Sequence, residues 1–581
     1  MRLWQCLLAL TVLWAALYLP GLGGPELKGE EGRRILPALE MLNSGDWTLP
    51  VMEGQPYVRK PPLINWAIAL SVSLTGKVSE FTVRLPSVLS VLALALGGAL
   101  LLRGFVAGPG ATRSAQARAA LLVGIMLLLH AGLFSKGRLA EIEALYVSLT
   151  GIAMALWIHL WREEASPWLT YTLPWFWLGL GLLAKGPPHL FFFYGMVVAV
   201  LWKAKSLREL RHPAHAAGLC LMLGAFLPWA VAVKGRLASA QSTVKAGATW
   251  IDQLTERFSL EQFDAANWLT GPFWALLIVL PWGLLLLPPL WKRLPSLAGP
   301  AGTRDFVLAD GLRWGVLVTT VAVLAIPATR PRFVQPMTLP ALALCALVAW
   351  RATPALWQTV WSRIALWSAV ALSIAGVAAP FFVTAFRASP HNTRVASIAT
   401  ACVVLAVWRL WAKFRRIPQP VHLALATALV GVLLSAINAA TVIPAKWARD
   451  DTRPVGAHLS TIVGSHHLAI VNPGETPSPL HWRFYLRSPH TVVRRLSLVP
   501  DTADFLLLPA RQVETEAQRK LVIEKLGYTR EVHTFTDALN NHFSLWSRLP
   551  PADESGDSDG GTPPDDPARE VRVSPRKSPP R

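Results

Sequence analysis

Charge is what this 581-residue chain most lacks: Asp, Glu, Lys and Arg make up 15% of it, against about 25% in a soluble domain. That shortage excludes a soluble enzyme of several globular domains, which length alone would suggest. Cysteine is scarce too. Cys6, Cys220, Cys345 and Cys402 all sit inside apolar runs and none has a CxxC partner, which excludes a disulfide framework and a thiolate metal site. Strands of alternating polarity are missing, and with them an outer-membrane barrel. What is present is apolar: 53% hydrophobic residues and a mean hydropathy of +0.39. These residues gather into repeated runs of roughly 17–24, the length of a helix that crosses a bilayer. The expected class is an all-α polytopic membrane protein.

About thirteen spans are expected, near residues 3–22, 84–103, 115–135, 139–161, 168–186, 188–203, 215–233, 271–290, 313–328, 333–350, 362–385, 395–412 and 421–443. The first follows Met1-Arg2 and reads as a retained helix, since no small-x-small cleavage site follows it. The net charge is +20, from 55 Lys and Arg against 35 Asp and Glu. In a soluble protein that excess would point to nucleic acid. In a multi-pass chain the weightier reading is that cytoplasmic loops collect Lys and Arg and meet anionic lipid, so membrane lipids are expected as partners and nucleic acid is not. Arg103, Arg113 and Arg118, then Lys203, Lys205, Arg208 and Arg211, then Lys413, Arg415 and Arg416 mark alternate connections as cytoplasmic. The N-terminus is then inside, and everything after about residue 445 outside.

Three regions follow: a membrane domain over 1–445, a small extracytoplasmic α/β domain over 446–550 and a disordered tail over 551–581. In the second, "HLAIVN", "TVVRRL" and "ADFLLL" read as strands and "EAQRKLVIEKLG" as a helix ending at glycine. The tail holds almost no large apolar residue and cannot bury a core. Two outer loops are long, at 23–83 and 234–270. The first contains amphipathic stretches at Ile35–Leu42 and Leu63–Leu74, expected to lie as short helices in the interface.

On this topology Glu30, Glu31, Arg33, Arg59, Lys60, Arg138, Glu141, Glu143, Lys185, Arg330 and Arg332 lie at one bilayer surface. Ionisable groups are costly there and tend to face a cavity and pair. Carboxylates can act as base or metal ligand, and fixed cations can neutralise a phosphate leaving group. The candidate phosphate binders are Arg33, Arg59, Lys60, Arg138, Lys185 and Arg332. For a single arginine such as Arg33, Arg34, Arg138 or Arg330, snorkelling to headgroups is the simpler account. Lys185 is harder to explain so, because it ends an apolar helix just before Gly186-Pro187. Glu143 stands inside the apolar start of a span, where a functional role outweighs a structural one. Glu30 and Glu31 could simply favour the N-terminus of the helix that follows. His130 and His159, alone in apolar spans, read as packing residues.

The run "EEGRRILPALEMLNSGDWTLPVMEGQPYVRKPPLINW", followed by "VSEFTVRLPS", resembles the first outer loop of the ArnT-like, protein-O-mannosyltransferase-related glycosyltransferases of the GT-C superfamily. "GRLAEIEALY", "LLAKGP" and "RPRFVQPMTLPALAL" are similar to later segments of the same family, in the same order. The resemblance implies a GT-C fold and an inverting transfer of a sugar from a polyprenyl-phosphate donor to an outer-face acceptor: lipid A, another envelope glycan or a protein. Carried over by position, Glu30 takes the place of the family's first-loop catalytic aspartate, with Glu31 beside it in a supporting, acceptor-side role. Arg33, Lys60 and Lys185 would hold the lipid phosphate, and Glu143 matches the second acidic position. Three departures stand out. Both acids are Glu where the family usually has Asp, Arg34 replaces an expected aromatic, and Arg59 replaces an acid before "KPP". The last removes a carboxylate that could bind metal or an amino sugar. It argues against aminoarabinose, and no cofactor follows from the residues, with a divalent metal left open.

Two other functions compete. A transporter or flippase of lipid-linked glycans should show internal repeats and interrupted midplane helices; no repeat is evident, and the charges crowd one surface. A surface-polysaccharide polymerase or ligase should carry its main loop late in the chain, whereas the longest charged outer loop here is the first.

Overall fold

A computed structural model of the chain describes residues 2–239 apart from 28 and 53; 263–382 apart from 287, 328, 353 and 354; 401, 405, 419–439 and 443; and 453–550 apart from 473–480, 514 and 537–541. The expected span at 395–412, most of the loop at 234–270, Cys402 and the tail at 551–581 lie outside the described residues.

Helix dominates the first 440 residues. Helix α1 (Leu3–Tyr18) leads into the first loop, which carries α2 (Gly32–Ser44), a hairpin of β1 (Val51–Met52) and β2 (Gln55–Pro56), and α3 (Leu63–Thr75). Then come α4 (Glu80–Ala107), α5 (Arg113–Leu128), α6 (Ala131–Gly137), α7 (Ile142–Arg162), α8 (Pro167–Thr172), α9 (Pro174–Lys185), α10 (Pro188–Lys203) and α11 (Ala214–Ser239). Further helices cover Ala265–Ile278, Pro288–Ala298, Arg304–Leu324, Thr338–Arg351, Ala355–Phe382 and Gln419–Ile437. Five described helices are long and apolar enough to cross a membrane, or six when α5 and α6, bent by 61°, count as one span. The expected thirteen includes pieces that are shorter or broken. Proline accounts for one break: it has no N–H to donate and its ring crowds the preceding turn. The expected span 168–186 is divided into α8 and α9 at Pro174. Between α5 and α6 the break is capped by His130, whose Nδ1 accepts from the Leu133 N–H at 3.2 Å. That residue was expected merely to pack.

The chain divides into two compact units. The first comprises residues 1–22, 58–67 and 84–444. Three of its buried polar side chains are tied to backbone carbonyls: Trp14 Nε1 donates to Val88 O at 2.8 Å, Tyr18 Oη to Leu128 O at 2.9 Å and the fully buried Arg84 to Leu22 O at 2.9 Å. Each supplies a partner to a group that hydrocarbon could not satisfy. Gly311 lets Arg304–Leu324 press against α10, because a Cβ there would lie 2.4 Å from Val200 Cα. Small residues at such crossings let backbones approach.

The second unit comprises residues 23–57, 68–83 and 445–581. It thus joins most of the first loop to the C-terminal region. Its sheet has the order β4-β3-β5-β7-β6, built from β3 (Leu468–Val471), β4 (His490–Val493), β5 (Phe505–Pro509), β6 (Arg530–Thr536) and β7 (His542–Ser547). The three expected strands are the parallel set β4-β3-β5, and β7 and β6 extend it antiparallel. One face buries Leu468, Ile470, Phe505 and Leu507 against Leu459 and Val463 of the helix Arg453–Val463. The other buries Ala469, Val471, Leu506 and Leu508 with Val522 and Tyr528. This is a small α/β layer structure with both faces covered.

Candidate active site

In the first unit, three distant charged residues meet. Glu143 lies in the first turn of α7, Lys185 ends α9, and Arg332 sits in the 3-10 turn Pro331–Met337. Each position suits its charge or its reach: an acid is favoured at a helix N-terminus and a cation at a C-terminus. Lys185 Nζ lies 3.4 Å from Glu143 Oε1, and Arg332 Nη1 lies 4.0 Å from the same oxygen. Aromatic faces complete the setting, with Lys185 Nζ 5.2 Å from the Tyr146 ring centre and 5.8 Å from that of Phe333. Two cations therefore share one carboxylate, and Arg332 Nε is buried without a hydrogen-bond partner among the described residues. Partial burial makes these attractions count for more than they would in water.

Lys185 reaches this position because α9 stops sharply. Gly186 follows with φ at +107°, a region that L side chains avoid, and Pro187 cannot continue the helix ladder. Next to the cluster in sequence, Lys136 Nζ pairs with Glu141 Oε2 at 2.7 Å, and Glu141 is buried. Arg138 is placed differently from expectation. It donates to Leu17 O at 3.2 Å, to Ser435 Oγ at 3.0 Å and to Pro20 O. The carbonyls closing α1 lack intrahelical partners, and this guanidinium supplies donors at that end of the helix. Arg59 and Lys60 are half-buried just ahead of α3, in the same unit.

The second unit holds the other candidates. Glu30 is about one-third exposed and pairs with Arg33 at 2.8 Å and Arg34 at 3.5 Å. Arg34, which stands where an aromatic was expected, thus becomes a second cation on that carboxylate. Glu31 is fully buried at the N-cap of α2 without a side-chain cap bond. Close by in the unit is a polar knot that the sequence did not disclose. Tyr485 Oη accepts from the Leu27 N–H at 3.1 Å and donates to Glu80 Oε1 at 3.1 Å. Arg453 lies 3.6 Å from Glu80 and donates to Gly24 O at 2.6 Å. Burial first, then the Glu80 carboxylate, push the Tyr485 hydroxyl well above its ordinary pKa, which keeps it a donor.

Among the described residues no three His, Cys, Asp or Glu side chains cluster as a metal site. The family model described as dolichyl-phosphate-mannose-protein mannosyltransferase matches residues 59–231. The undecaprenyl phosphate-alpha-4-amino-4-deoxy-L-arabinose arabinosyl transferase 1 of Sodalis glossinidius is 30% identical over 293 residues, 49% of this chain and 48% of that protein. A transferase of the same description from Pseudomonas savastanoi pv. phaseolicola is 27% identical over 209 residues, 35% of this chain and 37% of the relative. The chain spans about half the length of these curated relatives, or less. The crystal structure of ArnT from Cupriavidus metallidurans bound to undecaprenyl phosphate shares the fold, with a TM-score of 0.64 at 16% identity over 94% of this chain and 97% of that one.

Over about half its length the chain is similar to these arabinosyl transferases.

The family match takes in Arg59, Lys60, Arg138, Glu143 and Lys185, and leaves Glu30 before it and Arg332 after it. Sequence reasoning had named all three members of the Glu143 cluster but neither ring beside it. Tyr146, three residues beyond Glu143 on α7, was within reach of helical spacing. Phe333 was not, since only the turn after Arg332 aims it.

Proposed function

We propose that this protein is a glycosyltransferase of the bacterial inner membrane. It moves a sugar, with inversion, from a polyprenyl-phosphate donor to an extracytoplasmic acceptor such as lipid A, another envelope glycan or a protein. The observation that carries the reading is the cluster in which Lys185 and Arg332 share Glu143. A phosphate leaving group needs fixed cations. Lys185 and Arg332 supply two fixed cations on one carboxylate, and Lys60 is a third candidate in the same unit. Glu30, which keeps part of its surface open, takes the proton of the acceptor hydroxyl or amine as that nucleophile attacks the anomeric carbon. The bond from that carbon to the phosphate oxygen breaks, and the electron pair leaves with the lipid phosphate. Arg138 is left out of the phosphate set because its donors close α1.

The test is donor binding by purified full-length protein in nanodiscs. Lys185→Met and Arg332→Met should each weaken undecaprenyl phosphate binding about 10- to 100-fold, as losing a charge-assisted contact of about 1.5–3 kcal/mol requires. Unchanged affinity in both variants would remove the phosphate role, and lipid translocation without sugar transfer would favour a flippase.

A further inference from the structure

The second unit contains a cavity that the transfer chemistry does not use. It has a volume of about 380 Å³, within the usual range for a small-ligand site of roughly 300–1,000 Å³. One wall is the polar side of α2, from which Glu40 and Asn43 line it, and the other is the segment 483–492, which contributes Arg483, Arg487, His490 and Thr491. The hairpin tip at Gly54 closes the floor. That glycine has φ +71°, and a Cβ there would lie 2.7 Å from Val492 O, so any larger residue would push the hairpin off β4. First-loop and C-terminal residues thus form the cavity together within one compact unit.

The lining dictates the ligand class. Two guanidiniums suit a phosphate or carboxylate, to which arginine can present paired N–H donors. The Asn43 amide and the Glu40 carboxylate offer acceptors, and the amide a donor, for hydroxyls. His490 Nδ1 lies 2.9 Å from Ser488 O. Among the described residues no Phe, Tyr or Trp lines the cavity, and its apolar side chains are Leu486, Pro489 and Val492. A neutral sugar stacked on a ring, or an acyl chain, would find little to bind.

We propose that this cavity binds an anionic saccharide, its acid held by Arg483 and Arg487 and its hydroxyls by Asn43 and Glu40. Calling that saccharide the acceptor rests on the transferase reading; the binding itself does not. The experiment uses full-length protein in phosphatidylcholine nanodiscs, titrated with glucose 1-phosphate and, separately, with glucose. Glucose 1-phosphate should bind and glucose should not. Arg487→Gln, at an exposed position, should weaken binding at least fivefold without moving the unfolding midpoint, and adding Arg483→Gln should bring the loss past tenfold. Undecaprenyl phosphate binding should be unchanged in both variants, so a failed donor site and a failed saccharide site give different results. Displacement of glucose 1-phosphate by phosphatidylglycerol in the disc would assign the anion to a lipid headgroup, and its persistence to a glycan. Equal binding of glucose and glucose 1-phosphate, or full affinity in the double variant, would overturn the proposal.

Discussion

Glu143 sits between two cations, so neutralising it has opposite effects on stability and on anion affinity. In Glu143→Gln the positive charges of Lys185 and Arg332 lose their shared counter-charge. Stability should fall by about 1–3 kcal/mol, the range for a buried polar group left without its partner, read as a lower midpoint in thermal unfolding. Undecaprenyl phosphate should bind at least as tightly as before, because the phosphate no longer competes with the Glu143 carboxylate for the two cations, while turnover drops. Weaker phosphate binding in this variant would show that Glu143 shapes the pocket rather than tempering its charge. Glu30→Gln should behave in the reverse way. Donor affinity should stay within about twofold and transfer should fall about 10²- to 10⁴-fold, the contribution of a general base. Full transfer by Glu30→Gln would assign the proton to another group.

Among the elements, the stop between α9 and α10 governs where Lys185 points. Gly186→Ala places a side chain in a region of backbone space that costs on the order of 1–3 kcal/mol, and its φ of +107° gives no easy alternative. The variant should unfold at a lower temperature and lose donor affinity together with activity; an unshifted midpoint would mean that the break tolerates alanine. The "AKGP" sequence announced that stop in advance, and long apolar runs announced most helices. Their continuity was less visible, because proline at 174 interrupts a run that hydropathy alone reads as one span. Strand β7, with Ser544 and Ser547 buried among its apolar residues, lacks the clean alternation that would have marked it. Strand β6 is mostly open to solvent and carries too few apolar residues to stand out.

For the molecule as a whole, charges were legible one by one and their partners were not. Glu143, Lys185 and Arg332 each stood out as an ionisable residue at the end of an apolar stretch. Their meeting depends on three helix termini converging, which no local pattern encodes. The same holds for Glu80, Arg453 and Tyr485, whose separation in sequence hid a shared knot. That knot predicts a mutual dependence between the first loop and the C-terminal sheet domain. A chain ended after residue 452 should expose residues 23–57 to protease in detergent-solubilised protein, while the full chain protects them. Tyr485→Phe should partly mimic the truncation, since the Leu27 N–H loses its acceptor and the Glu80 carboxylate loses the tyrosine donor while keeping Arg453. Equal protection of the loop in all three proteins would count against their folding as one unit.

The Leu27–Tyr485 hydrogen bond joins residues 458 positions apart, and ribosomes add about 5–20 residues per second. Once made, the opening segment therefore waits on the order of 20–90 s for its counterpart to be synthesised. During biogenesis Glu30 stands on an unfinished surface, and the unit that holds it closes only after Tyr485 has been made.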